Sequence, residues 1–466
     1  MSEIKTKLSS KDEKFREFAL NGNMWHVVLY VSIPLMAYQG LMHILKILDT
    51  IMAAHISSGA VSSIAYMSQI SFLISAVGTG IAIGGGMKIS EAYGAGDYTL
   101  VKRRVSTVYA ICAAFGALVL CIIPFSEEFL RLNGTTESMI EIGKQYFAVE
   151  LPSLVLNFFN SVYIAVERAR GNSKLILKLN TMVLLIKLGL TAFFIYGLNG
   201  GIITIAAATL ISQAILLLFA LRNICDRESP FGFSVKAISF RGNTAAPIIK
   251  TALPVIAERA AFAYGKLTVN SMCTLYGDDT VGALGVSNNI SGLPTSMQNG
   301  FQEGGASVIS QNIGAGDHKR ALDAFKKTFI ICIITGAVFL VLIMLFLDPI
   351  CGLFAGGDET FRKLIKDVTQ YEFLGIITLG MNAAVMALLY GYGYTKLTLV
   401  LNGARIFVFR IPVLWYLQNF TDHGSESAGI VMLVSNISVG VLSLIVAWIV
   451  TGQIKKKYIN KVSDKK

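Results

Sequence analysis

Three carboxylates interrupt otherwise apolar stretches of this chain: Asp49, Glu258 and Glu303. In a low-dielectric setting an acid is driven toward its protonated form, and a nearby lysine drives it back toward the carboxylate. Asp49 has both influences. Lys46 stands three residues before it and His43 three before that, a spacing that puts the three side chains on one stripe of a helix. An acid balanced in this way can take up and release a proton as its surroundings change. Glu258 follows Pro254 by four residues, adjoins Arg259, and has Lys266 eight residues further on the same helical face. Glu303 lies in Gly300-Phe301-Gln302-Glu303-Gly304, beside two flexible glycines.

Nothing in the sequence has the spacing of a catalytic or metal-binding cluster. His26, His43, His55, His318 and His423 are scattered. Cys112, Cys121, Cys225, Cys273, Cys332 and Cys351 form no C-x-x-C pair and read as small packing residues. No G-x-x-x-x-G-K-[ST] pattern occurs, so nucleotide hydrolysis is not expected. The expectation is a protein that is not an enzyme and carries no metal or organic cofactor.

The elements that hold these acids are long and apolar. Of 466 residues, 54% are hydrophobic and 15% charged, with a mean hydropathy of +0.61. Soluble domains carry roughly 25% charged residues. Apolar runs occupy 25–54, 60–92, 103–125, 140–167, 174–197 and 200–222, and again 246–276, 281–312, 321–350, 362–392, 397–419 and 427–452. Runs of this length read as membrane-spanning helices. The expected fold is all-α and integral to the membrane, with twelve transmembrane helices in two pseudo-symmetric six-helix bundles. Residues 1–23 form a polar cytoplasmic segment with a short helix at the membrane surface. Residues 24–222 make the first lobe, 223–245 a cytoplasmic connector, 246–453 the second lobe, and 454–466 a basic cytoplasmic tail. No cleavable signal peptide is expected, because the first apolar run continues past Pro34.

The net charge of +11 does not form one patch, so nucleic acid is not an expected partner. Basic loops, such as Lys102-Arg103-Arg104 and Lys319-Arg320, alternate with loops poor in Lys and Arg. By the positive-inside rule both termini are cytoplasmic in a multi-pass protein of the cell's inner (cytoplasmic) membrane.

The two halves repeat. Gly84 to Asp97 reads GGGMKISEAYGAGD and Gly304 to Asp317 reads GGASVISQNIGAGD; the offset is 220 and eight of fourteen positions are identical. The same offset pairs Pro34 with Pro254, Lys46 with Lys266 and Gly80 with Gly300; an offset of 222 pairs Lys174 with Lys396. A repeat of six helices restarts on the same membrane face, so the two copies run parallel with a cavity expected between them. The motif residues Gly94, Gly96 and Asp97, with Gly314, Gly316 and Asp317, are expected to end one helix in a left-handed turn, let backbones approach, and cap the next helix. Pro34 and Pro254 each remove a backbone hydrogen bond and mark expected helix bends.

The G-A-G-D motif ending the second helix of each half, the proline in the first helix of each half, and Leu48-Asp49-Thr50 fifteen residues after Pro34 resemble the multidrug and toxic compound extrusion (MATE) family. So does Arg405-Ile406-Phe407-Val408-Phe409-Arg410-Ile411-Pro412 in the eleventh helix. The resemblance covers essentially the whole chain. It implies a V-shaped pair of lobes that exports organic cations, as a monomer, in exchange for H+ or Na+. It also implies a cation-coupling role for Asp49, which we extend to Glu258 and Glu303. This chain departs from proton-coupled relatives in helix five, where Leu188 stands where they carry a second acid, with Lys187 beside it. Gln39, His43, Lys46, Asn157, Asn180, Lys187, Lys266 and Asn382 are the polar residues expected to line the substrate cavity. The rival expectation is a flippase for a lipid-linked oligosaccharide, which would use Lys46, Lys88, Lys187, Arg259 and Lys266 against pyrophosphate.

Overall fold

The computed structural model describes residues 7–54, 58–132, 137–226, 228–355 and 357–460; among these, the side chains of 49–51, 53, 54, 58–69, 132, 137–139, 141, 142, 202, 459 and 460 lie outside the description. Sixteen α-helices and no strand are found among the described residues. A short α1 (Ser10–Asn21) precedes α2 (Met24–Ala54), α3 (Ser58–Ala95), α4 (Tyr98–Leu120), α5 (Ser126–Leu132), α6 (Glu137–Ala169), α7 (Ser173–Ala192) and α8 (Ile202–Ile224). The second half holds α9 (Ala245–Cys273), α10 (Asp278–Gly314), α11 (His318–Ala355), α12 (Glu359–Leu374), α13 (Ile376–Gly391), α14 (Thr395–Phe407), α15 (Ile411–Phe420) and α16 (Ser427–Ile454). Among the described residues, nine helical stretches are long and apolar enough to cross a membrane, and α12 with α13, bent by 46°, make a tenth. The long but more polar α9 and α10 complete the expected twelve.

One of the expected continuous spans is sharply bent, and another is interrupted locally without a sharp bend. The tenth bends at Gly375, which ends α12 and begins α13. The eleventh breaks at Val408 to Arg410, because Pro412 in the first turn of α15 has no N–H to donate and its ring crowds the carbonyl of Val408. Val408 and Arg410 keep right-handed helical backbone, whereas Gly375 leaves it. Non-helical backbone at membrane depth is tolerated only where it is buried in protein or lines a cavity, so the bend at Gly375 points toward a site.

The chain packs into two compact units. One comprises Met1–Leu20 with Leu41–Arg259, the other Asn21–Gly40 with Ala260–Lys466. The first part of α2 thus belongs to the unit of the second half, and the first part of α9 to the unit of the first half. Each helix changes unit just after its proline, six residues past Pro34 and five past Pro254.

Glycines explain how these segments are held. In the first unit, a Cβ at Gly84 would stand 2.7 Å from the backbone nitrogen of Ala252, and one at Gly80 3.0 Å from that of Ile256. In the second, a Cβ at Gly300 would stand 2.5 Å from the backbone nitrogen of Met36, and one at Gly304 2.9 Å from the Cα of Ser32. Every member of one set maps to the other by the 220-residue offset. This is the small-xxx-small contact by which membrane helices approach closely.

The repeat motif also caps helices as expected. Gly96 and Gly316 have φ of +77° and +80°. The Asp97 carboxylate accepts from the Leu100 N–H at 2.9 Å, and that of Asp317 from the Arg320 N–H at 2.9 Å. The N-terminal helix is more than a surface helix: Asp12, Phe15 and Ala19 are buried. Arg170 clasps Asp12 through Nε and Nη2 at 2.9 and 3.0 Å and reaches Glu167 at 3.4 Å. Burial disfavours the Arg170 charge, but Glu167 and Asp12 hold its pKa above the ordinary arginine value. Arg16 donates to the carbonyls of Tyr93 and Gly94 at 3.0 and 2.8 Å, so α1 seals the end of α3.

Candidate functional site

The expected site residues fall in both units. Asp49 lies on α2, but its side chain is outside the described residues. In the first unit, Lys187 of α7 and Glu150 of α6 are close enough to interact electrostatically. Glu150 was not among the expected acids. It stands two residues before Pro152, inside a helix, and that combination of an acid and a proline in an apolar run was the available signal. Lys187 thus has a carboxylate partner within its own unit. Asn180 donates to the Ile176 carbonyl of its own helix at 2.8 Å, while Asn157 on α6 is half-buried. His43 is half-buried and Lys46 exposed on α2, and Glu258 is buried on α9.

In the second unit, Gln39 of α2 donates from Nε2 to the Glu303 carboxylate of α10 at 3.3 Å. This joins two expected residues, five residues after Pro34 and beside the Gly300–Met36 crossing. Its counterpart position in the first half is Ile83, so the pair exists in one repeat only. Asn382 accepts from Ser443 at 2.8 Å and donates to Asn402 at 3.4 Å, tying α13, α16 and α14 together. Lys266 is exposed on α9.

A buried polar cluster sits where the tenth and eleventh spans are interrupted. Glu372, near the end of α12, is 3% exposed and accepts from the Ser287 and Ser291 hydroxyls at 2.6 and 2.7 Å. Those serines are one helical turn apart on α10, so one face of that helix satisfies both carboxylate oxygens. At the other break, Arg405 donates from Nη2 to Asn436 Oδ1 at 2.8 Å. Arg410 donates to Ser435 Oγ at 3.1 Å and to the same Asn436 oxygen at 3.4 Å. The Arg405 guanidinium also lies over the Phe262 ring, 5.5 Å from its centroid. Glu372 interacts electrostatically with both arginines. Among the described residues no group of three His, Cys, Asp or Glu side chains is placed to hold a metal ion.

The MatE family profile matches the chain twice, over residues 34–193 and 254–416. The two matches begin at Pro34 and Pro254, which reproduces the 220-residue repeat. The chain is similar to the probable multidrug resistance protein YoeA of Bacillus subtilis, 24% identical over 378 residues that cover 78% of this chain and 80% of that protein. It is similar to the probable multidrug resistance protein NorM of Thermotoga maritima, 20% identical over 90% of this chain and 91% of that protein. The multidrug export protein MepA of Staphylococcus haemolyticus is 23% identical, over 84% of this chain and 90% of its own length. A solved structure described as the outward-facing conformation of a multidrug resistance MATE family transporter of the MOP superfamily matches with a TM-score of 0.89 at 17% identity, over 96% of this chain and 99% of that one. At that identity the likeness establishes the fold. A duplicated six-helix unit, matched by the same profile in each copy, makes this chain a multi-pass membrane transporter of the MATE family rather than an enzyme.

Proposed function

We propose that this chain is a secondary antiporter that exports small organic cations in exchange for protons or sodium ions, by alternating access. Multidrug relatives along most of the chain support the substrate class. The observation that carries the exchange mechanism is the Glu303–Gln39 hydrogen bond. It ties an acid at membrane depth to the proline-bearing segment of α2. Taking a proton turns a charge-assisted hydrogen bond into a neutral one of about half the strength. That change acts where α2 is held against Gly300 and Gly304. One proton moving down 100 mV supplies about 2.3 kcal/mol, enough to shift a two-state ratio roughly fiftyfold. Asp49, Glu150 with Lys187, and Glu258 are the acids on which a second coupling step would rest. Both termini stand in the cytoplasm on this reading, and the working unit is the monomer.

The lipid-linked oligosaccharide reading rested on free cations at membrane depth. Lys88 pairs with Glu91 at 2.6 Å and Lys187 interacts electrostatically with Glu150, which reduces that supply. A binding measurement tests the preferred reading. Titration of the purified protein with tetraphenylphosphonium, in a weakly buffered solution with a pH-sensitive dye, should release protons, or bound sodium should weaken tetraphenylphosphonium binding. Glu303→Gln should remove either effect. Tetraphenylphosphonium binding that is indifferent to both ions would overturn the exchange mechanism.

A further inference from the structure

The cluster at the broken eleventh span has more hydrogen-bond donors than acceptors. Asn436 is fully buried, and its side-chain oxygen already accepts from Arg405 and Arg410. Turning the amide over would point its N–H groups at two guanidiniums, so the orientation is fixed by its partners. That leaves the Asn436 Nδ2 group buried with no acceptor. The Nε–H of Arg405 is likewise buried without one. Ser435 accepts from Arg410 and donates to the Met432 carbonyl, so its proton is committed, and neither orphaned group is hydrogen-bonded to it. Both orphaned groups are donors. An unpaired buried donor costs about 1–3 kcal/mol, and a buried cation left without a counter-charge costs more.

The charge count points the same way. Two guanidiniums share one carboxylate, Glu372, and both of its oxygens already accept from serine hydroxyls. No hydrogen bond joins Glu372 to either arginine among those described. The unmet need of this cluster is therefore for an acceptor that carries negative charge. The glycine at the α12–α13 bend lets the main chain come close to this cluster: a Cβ at Gly375 would stand 2.6 Å from the Cβ of Asn436.

We propose that the break in the eleventh span is a binding site for a small monoanion, a halide or a carboxylate, held by Arg405 and Asn436. Guanidinium and amide N–H groups suit both, and a carboxylate can be bound by two parallel hydrogen bonds. The site is separate from the Glu303–Gln39 pair and does not depend on the direction or driving ion of transport.

Thermal unfolding of the purified full-length protein in detergent tests this. Three salts are compared over a concentration series at constant ionic strength: sodium chloride, sodium acetate and sodium isethionate, whose anion is bulky. Chloride or acetate should raise Tm along a saturating curve, as expected for a ligand that binds the folded state. A response to chloride alone identifies a halide site, and a response to acetate identifies a carboxylate site. Arg405→Gln should abolish the response. Glu372→Gln provides a variant of opposite sign, since it keeps every donor but removes the competing charge. It should lower the half-saturating anion concentration about tenfold, equivalent to about 1.4 kcal/mol. Equal responses to all three salts, a response that survives Arg405→Gln, or an unchanged or weakened half-saturation in Glu372→Gln would each overturn the proposal.

Discussion

The glycine crossing of α10 with α2 invites a direct test. A Cβ at Gly300 would lie 2.5 Å from the backbone nitrogen and Cα of Met36, and one at Gly304 would lie 2.9 Å from the Cα and Cβ of Ser32. Ordinary carbon contacts begin near 3.5 Å. The intruding atoms meet main chain at both sites, and at Gly304 the Ser32 hydroxyl as well, so a side-chain turn alone does not relieve them and α2 must move bodily by several tenths of an ångström or more. Overpacking of this kind costs about 1–3 kcal/mol per site. Replacing glycine by alanine inside a helix recovers about 1 kcal/mol per site. The double variant Gly300→Ala/Gly304→Ala should therefore lose up to about 4 kcal/mol, seen as a lower Tm in detergent. Gly285→Ala, on the same helix with no atom within 4 Å of the added methyl, is the control and should unfold at or slightly above the wild-type temperature. The pair Gly80→Ala/Gly84→Ala should behave like the first double variant, because Ile256 and Ala252 occupy the matching places. If both double variants match Gly285→Ala, the glycines are not what sets these crossings.

Two further expectations concern charge. Asp12→Ala removes the bidentate partner of Arg170 and leaves Glu167 as its remaining carboxylate, so it should destabilise the first unit by about 3 kcal/mol. Proteolysis within residues 1–23 should then speed up, and unchanged cleavage would show that the pair does not hold α1. For Glu150 and Lys187, the variants Glu150→Gln and Lys187→Met should each cost more alone than the pair would predict, with a coupling of about 0.5–3 kcal/mol in a stability double-mutant cycle. A coupling near zero would mean the two groups do not interact.

Much of the fold could be read from the sequence, because its signals are local or repeated. The apolar runs carry the helix ends to within a few residues, and the GAGD motifs carry their caps, since Gly96, Asp97, Gly316 and Asp317 act on residues three or four positions away. The breaks in the tenth and eleventh spans were missed. Gly375 is one glycine among 43, and Pro412 was read as part of a motif rather than as the end of a helix. The charge clusters were harder still. Glu372 meets serines 85 and 81 residues away, and Asn436 meets arginines 31 and 26 residues away, on helices whose neighbours no periodicity reveals. Gln39 and Glu303 were each singled out, but their pairing spans 264 residues and follows from the transfer of residues 21–40 to the second unit. The sequence repeat contains that exchange only implicitly, as matched glycines of α3 and α10 whose packing partners, Ala252 and Ile256 or Ser32 and Met36, lie in the other copy.

Transport under imposed gradients tests the central claim most directly. The purified protein is reconstituted in liposomes, and ethidium movement is followed by fluorescence under a proton gradient alone and then a sodium gradient alone. The account predicts movement of ethidium against its gradient under at least one of the two, and its loss in Asp49→Asn or Glu303→Gln while tetraphenylphosphonium still binds. Absence of transport by the folded wild-type protein under both gradients would contradict it.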